Sequence, residues 1–527
     1  MMDAPLNAWL LFANAARHYR HAEVVSRRPD GSIVRHSYGE ITDRAQQLMH
    51  ALDALGVAVG ERVATLAWNS HRHLEAYFGV PCSGRVIHTL NVRLSVEELT
   101  FIMNDGDDRV VLVDPDFVSL LEQIRPHVPG LRHVVVLSDV APPGMHAYEE
   151  LLAAQATNYP RPTIDEWTPL GLCYTSGTTG QPKGALYTHR STFLHALAVT
   201  STAAMAVGPS DCVLPQVPMF HANAWGLPYA STAVGAKQVL YAGALDVPSF
   251  VDVLIDEKVT VAAAVPTVWI GVGDEIGRRT KRPVLRHIIS GGAQPPRALI
   301  QRYRDDFGIA IVQAWGMTET SPLASCAWPQ ERMRDWDDDA VTTAARTQAG
   351  LPLPGLEVRI CDSNGHELPF DGESMGALHV RGPWVIDSYL HGRGEQQFTD
   401  DGWFDTGDVA IGSPDGYFVI ADRTKDLIKS GGEWISSVDM EAAIMAMTEV
   451  AEAAVVAVPD PKWLERPLAC IVVRKGSDLT VEDVRAHLEA HGFARWQLPE
   501  RIELIDEVPK TSVGKFDKKV LRMRFPQ

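Results

Sequence analysis

A chain of 527 residues, 46% hydrophobic and 22% charged, carries material for several buried cores, because a single core stops growing at about 250–300 residues. Its formal net charge of −18 argues against a nucleic-acid partner, which would call for a basic face, and fits a soluble cytoplasmic protein. Cysteines at 82, 173, 212, 326, 361 and 470 form no CxxC pair and no metal-ligand spacing, so neither a disulfide framework nor a zinc site is indicated.

In chain order, the apolar stretch Ala8 to Ala16 is short and precedes its basic residues Arg17 and Arg20, so it reads as the start of a helix and not as a targeting segment. Leu48, Leu52 and Leu55 recur at helical spacing before Gly56, RVATLAW at 62–68 predicts a buried strand, and Ser95 with Glu98 predicts a capping box opening another helix. RVVLV at 109–113 and HVVVL at 133–137 are short β-branched runs. The alternation resumes with KQVLYA at 237–242, VTVAAAV at 259–265 and RHIISGG at 286–292. Strands alternating with helices imply largely parallel sheets covered on both faces. The longest apolar run, Val259 to Gly273, contains Pro266 and is shorter than the roughly 18 residues of a membrane span. DWDDD at 335–339 reads as a solvated loop. From 350 to 420 short strands broken by Gly and Pro (LEVRIC, ALHVRG, GYFVIA) predict a more antiparallel, barrel-like subdomain. Beyond Asp422 the runs EAAVVAV and LACIVV, a helix from about 480 and RIELID make a compact βαβ-like unit.

The most informative string is YTSGTTGQPKG, 174–184, in which glycines and hydroxyls surround one lysine. Glycine lets backbone N–H groups crowd an anion, hydroxyls add hydrogen bonds and Lys183 adds a point charge, as a polyphosphate site requires. A P-loop reading fails, because Gly177 and Gly180 are too close together and Lys183 is followed by Gly184 instead of Ser or Thr. Further along, SGGAQP (290–295) offers two glycines after a strand, where a flat ring could lie on the backbone. QAWGMTETSP (313–322) offers Trp315 for stacking, Thr318 as a hydroxyl and Glu319 as a hard oxygen ligand for Mg²⁺. DTGD ends in Asp408, a carboxylate able to accept from both hydroxyls of a ribose, DRTKDLIKSGGEWIS (422–436) gathers Arg423, Lys425 and Lys429 around a glycine pair, and PKTSVGKFDKK (509–519) places Lys515 on a Gly-containing loop. Each has a bland alternative as a turn, a core aromatic or a solvated charge.

In order and rough spacing these strings resemble the adenylate-forming enzymes, over residues from about 35 to 523, and FHANAW (220–225), RGPWVIDSYL (381–390) and IKSGGEWISS (428–437) are similar to the fatty acyl-CoA synthetase branch, with methylthiopropionate-CoA ligases on the same shortlist. The resemblance implies a large N-terminal domain, 1–421, built of two α/β layered subdomains and the barrel-like one, a hinge at 422–426, and a small mobile α+β C-terminal domain, 427–527. It implies that Thr175, Ser176, Gly177, Thr178, Thr179, Gly180 and Lys183 bind the outer phosphates of ATP, with Thr175 and Glu319 toward Mg²⁺. Gly292, Gln313, Ala314 and Trp315 would line the adenine, Thr318 the α-phosphate, and Asp408 and Arg423 the ribose. His221, Ala222, Trp225 and Gly292 would stand at the acyl site, Trp225 as a gate. Trp315 stands where many relatives have Tyr, which changes the stacking area and not the expected role.

The implied chemistry is activation of an aliphatic carboxylic acid as an acyl-adenylate, then transfer to coenzyme A. Lys515 would serve the first step and withdraw as the chain pivots at Lys425, bringing Lys429, Gly431, Gly432 and Trp434 to the thiol. A carrier-protein pantetheine in place of coenzyme A is the rival enzyme, and a non-catalytic nucleotide-binding relative the rival class. Chain length of the acid stays open, and similar long-chain enzymes imply a cytoplasmic homodimer.

Overall fold

The computed structural model describes the chain except residues 1, 3, 176–180, 424, 425, 431, 432, 475, 511–515 and 527 and the side chains of Glu433 and Trp434. Two large sheets carry the N-terminal part. One has seven strands in the spatial order His146–Ala147, His133–Val136, Asp108–Val113, Arg62–Leu66, Val86–Thr89, Pro169–Tyr174 and Gly184–Thr188, parallel throughout except for the last pair. The other has nine, with Lys237–Tyr241, Cys212–Pro215, Val261–Ala264, His287–Gly291 and Ala310–Gly316 side by side and parallel, and antiparallel pairs toward its two edges.

Both sheets are covered on both faces, which is why their strands read as unbroken apolar runs. Successive strand residues point to opposite faces, so Val110 and Leu112 enter one core while Val111 and Val113 enter another. In the second sheet Ala262, Ile288 and Ile311 divide in the same way from Val261, Ala263, Ile289 and Val312. The helices Ala8–His18, Tyr38–Ala54, His71–Gly79 and Leu227–Val234 share a single core with strand residues of both sheets, forming the layer between them. Ser95 and Glu98 make the expected reciprocal capping box. The run from Val259 breaks at Pro266, which opens the helix Pro266–Arg278, a position where its missing N–H costs nothing.

The segment expected to be antiparallel is a four-stranded antiparallel meander, Glu357–Cys361, Met375–Arg381, Phe404–Gly412 and Phe418–Arg423. DWDDD is a solvent-facing cap more than a loop: Asp337 caps the short helix Asp338–Val341, and Asp338 and Asp339 pair with Arg346 and Arg297. In the C-terminal part Val450–Asp460 and Leu464–Val473 form an antiparallel hairpin, and the second of these strands, the helix Val481–Ala490 and the parallel strand Arg501–Leu504 supply the βαβ crossover.

A buried ionic cluster joins the two parts. Asp422 lies in a meander strand opposite Val409, yet its carboxylate accepts from the backbone N–H (2.8 Å) and hydroxyl (2.5 Å) of Ser437, the first residue of the helix Ser437–Met445. Lys518 reaches the same Ser437 hydroxyl and lies 2.8 Å from Glu441, while Arg522 pairs with Asp426 at 2.7 Å.

Candidate active site

A cleft lined by Thr89, Leu90, Tyr174 and Thr175 lies at the carboxyl ends of the parallel strands Val86–Thr89 and Pro169–Tyr174, where open α/β sheets place their ligands. Register sets Ser290 opposite Gln313 and Gly291 opposite Ala314. A Cβ on Gly291 would stand 2.9 Å from both the Ala314 carbonyl oxygen and a ring carbon of Trp225, so glycine is what lets the indole rest on this backbone. Gly292 continues at φ +83°, a left-handed conformation natural to glycine. Ser290 Oγ and Gln313 Oε1 are buried with no hydrogen-bond partner among the described residues. Each such atom costs about 1–3 kcal/mol, a cost that a ligand bringing a complementary group would remove.

Trp225 is aimed by an unusual turn. Ala222, Asn223, Ala224 and Trp225 have φ of 42°, 54°, 48° and 57°, and Gly226 follows at 77°. Left-handed backbone costs an L-residue roughly 1–2 kcal/mol, and such strain persists where surroundings over-determine it. Here Ala222 and Ala224 are buried, the Tyr77 hydroxyl reaches Asn223 Oδ1 at 3.3 Å, and the His195 ring packs on the bare Cα of Gly226. Burial holds the His195 imidazole down at about 3, so it is neutral and its Nε2 accepts from the Leu323 N–H at 3.0 Å. His221 precedes this turn and lines a cleft with Tyr174, Thr175, Phe220, Leu90 and Leu94, so the expected acyl-site histidine and the start of the phosphate loop face one opening. Thr175 also receives Lys183: its N–H donates to the Lys183 carbonyl at 2.9 Å, closing the stem of the loop. Ser176, Gly177, Thr178, Thr179 and Gly180 lie outside the described residues.

Glu319 sits in the short turn Thr318–Thr320 and is 6% exposed. The Tyr389 hydroxyl donates to Glu319 Oε1 at 2.5 Å, and the Lys183 ammonium lies 4.9 Å from the centre of the same phenol ring. Burial pushes the Glu319 carboxyl up from its usual range, against the hydrogen bond from Tyr389 and the charges of Arg423 and Lys183. Thr318 is fixed through its carbonyl, which accepts from Tyr187 at 2.7 Å. Among the described residues no cluster of three or more His, Cys, Asp or Glu could hold a metal. The donor set at Glu319, one hard carboxylate near the Lys183 stem, fits Mg²⁺, which is commonly held by one or two carboxylates together with substrate phosphates and water.

Asp408 and Arg423 face each other across two meander strands. Arg423 Nε lies 3.2 Å from Asp408 Oδ1, and the Trp315 indole N–H donates to Oδ2 at 3.1 Å. The tryptophan therefore changes more than the stacking area expected from sequence: it supplies a donor that steers the carboxylate. Lys429 lies in the strand Ile428–Ser430 opposite Trp434, its N–H donating to Glu465 at 2.8 Å. Lys425, Gly431, Gly432 and Lys515 lie outside the described residues, as does the Trp434 side chain. Tyr389, Tyr187, Asp105 and Arg393 were not singled out by the motifs. Tyr389 falls inside RGPWVIDSYL, a string that marked the branch without marking this residue.

The sequence profile of the AMP-binding enzymes matches residues 11–390, and that of the AMP-binding enzyme C-terminal domain residues 439–515. A long-chain-fatty-acid–CoA ligase of Thermus thermophilus is 46% identical over 100% of this chain and 96% of its own. A 3-methylmercaptopropionyl-CoA ligase of Ruegeria lacuscaerulensis is 41% identical over 100% of this chain and 98% of its own. The crystal structure of an anthranilate CoA ligase in complex with anthranoyl-AMP superposes with a TM-score of 0.87 at 26% identity, covering 99% of this chain and 98% of that one.

Proposed function

We propose the reaction from one premise: this chain belongs to the AMP-binding enzyme family. It is an acid–thiol ligase that uses ATP to convert a carboxylic acid to an acyl-adenylate and passes the acyl group to coenzyme A, releasing AMP and pyrophosphate. The observation that carries this reading is the convergence of Glu319, Lys183 and Thr175, joined through Tyr389 and the stem of the phosphate loop, in a chain matched along its whole length by a CoA ligase.

In the first step a carboxylate oxygen attacks the α-phosphorus and the bond to the β-phosphate oxygen breaks. Charge builds on the leaving pyrophosphate, and fixed cations in a closed site stabilise it better than water can. Lys183 with the loop 175–180 would hold the outer phosphates, Thr318 the α-phosphate, and Lys515 would bridge the carboxylate and the leaving group. Bound at Glu319 and Thr175, Mg²⁺ would neutralise phosphate charge. The Gln313 amide oxygen offers an acceptor beside the Gly292 turn for an adenine amino group, and Asp408, steered by Trp315 and Arg423, accepts from ribose hydroxyls. In the second step the thiol attacks the acyl carbon and AMP departs, with Lys429, Gly431, Gly432 and Trp434 on the approaching side once the chain turns at Lys425.

A medium- or long-chain aliphatic acid is the favoured substrate, because the small residues next to Trp225 in its turn, Ala222, Ala224 and Gly226, favour an aliphatic tail over a polar amino acid. The Ruegeria relative favours 3-methylthiopropionate as a second reading. Acid-dependent ATP–pyrophosphate exchange and acyl-CoA formation, measured across unbranched acids from propionate to palmitate with 3-methylthiopropionate and an aryl acid, test both. The highest kcat/KM should fall on a medium or long chain. A maximum on 3-methylthiopropionate moves the assignment, and exchange without thioester formation removes coenzyme A as acceptor. A cytoplasmic homodimer accompanies this reading, its assembly checked by light scattering.

A further inference from the structure

Lys183 and Glu319 lie 136 positions apart in the chain, and one side chain touches both. Tyr389 gives its hydroxyl to the Glu319 carboxylate at 2.5 Å and offers its ring to the Lys183 ammonium at 4.9 Å. The segment that carries it is strapped down. Tyr389 bridges to Ala185, in the strand that leaves the phosphate loop, and its ring packs edge-on against Phe398 and Phe404. Arg393 forms a two-pronged pair with Asp105, and the same carboxylate accepts at 2.6 Å from Tyr174, the last strand residue before the loop. Gln397 accepts from Lys183, and Gly394 leaves room for the ammonium, since a Cβ there would stand 2.9 Å from Lys183 Nζ.

We propose that Tyr389 is a positioning residue that sets Glu319 and Lys183 in mutual register for a metal–polyphosphate, the hydroxyl stopping rotation of the carboxylate and the ring face seating the ammonium. The proposal rests on the adenylating reaction above. A phenylalanine would fill the same apolar space between Phe398 and Phe404, so packing alone leaves the hydroxyl unexplained. The hydrogen bond to the carboxylate and the cation on the aromatic face rest on different atoms of Tyr389, so the two contacts are separable by measurement.

Tyr389→Phe keeps the ring and removes the hydroxyl, whereas Tyr389→Leu removes both. In the full-length protein, binding of Mn²⁺ with α,β-methylene-ATP is followed by electron paramagnetic resonance, and binding of metal-free α,β-methylene-ATP by calorimetry. Tyr389→Phe should weaken Mn²⁺ binding about tenfold and leave metal-free nucleotide binding as in the wild type; Tyr389→Leu should weaken both. Glu319→Gln with Tyr389→Phe should bind Mn²⁺ no worse than Glu319→Gln alone, an outcome that a merely structural tyrosine would not produce. Wild-type Mn²⁺ affinity in Tyr389→Phe, or full additivity in the double variant, overturns the proposal, and Tyr389→Phe decides alone if the leucine variant unfolds. Absence of acid-dependent pyrophosphate exchange in the wild type would instead sink the reaction while these binding measurements still decide the role of Tyr389.

Discussion

At the scale of one residue, the substitution of an indole at 315 carries an effect beyond area. Trp315 donates to Asp408, a carboxylate that is 4% exposed and otherwise steered by Arg423. Losing one partner of a buried acceptor costs about 1–3 kcal/mol. Trp315→Phe, which keeps the aromatic face toward Phe418, should therefore raise the KM for ATP roughly tenfold while the order of preference among acids stays as it is. An unchanged KM for ATP would mean that Arg423 alone orients Asp408.

At the scale of an element, the left-handed turn 222–226 decides where Trp225 points, and its last residue is the most constrained. Gly226 has φ +77°, and an added Cβ would lie 2.5 Å from the His195 ring. Gly226→Ala combines backbone strain with a clash against a buried ring, and should cost about 2 kcal/mol or more in a denaturant melt. A variant within a few tenths of wild type would show that the turn relaxes into another conformation. Trp225→Ala leaves the turn and removes the indole resting on Gly291: kcat/KM for long acids should change relative to short ones, with the KM for ATP nearly constant. Uniform loss across all acids would make Trp225 an ordinary packing residue.

At the scale of the whole molecule, the boundary between the two parts is held on both sides of the expected pivot. Asp422 belongs to the meander by its backbone and to the helix Ser437–Met445 by its carboxylate, while Asp426 is held by Arg522 in the last helix, Lys518–Arg524. Residues 424 and 425 lie between these anchors. A rotation absorbed there would carry Asp426, Arg522 and Lys518 as one body and would have to loosen the Asp422–Ser437 bond. Proline at 425 fixes φ near −65° and removes a donor. If the protein starts in the adenylating arrangement, Lys425→Pro should keep ATP–pyrophosphate exchange and lose most acyl-CoA formation. A folded variant with both activities would place the hinge elsewhere.

The sequence by itself determined the alternation of helices and strands, the parallel sheets and the order of the site motifs, because period-2 and helical apolar patterns, capping pairs and glycine-rich loops are local signals that short-range physics enforces. Gly292, Glu319, Asp408 and Arg423 fell in such strings and were expected at the site from them. Tertiary structure alone decided which of them meet. Tyr389 had no local mark, since its partners Glu319 and Lys183 come from the ends of different sheets; Trp315 could not be assigned its bond to Asp408 until a meander strand was laid beside it; and the backbone of 222–225, Ala, Asn, Ala and Trp with no glycine among them, takes its left-handed course where Tyr77 and His195 arrive from elsewhere to hold it. Contacts between residues far apart in sequence are set by the packing of whole layers, and a linear pattern carries no record of that packing.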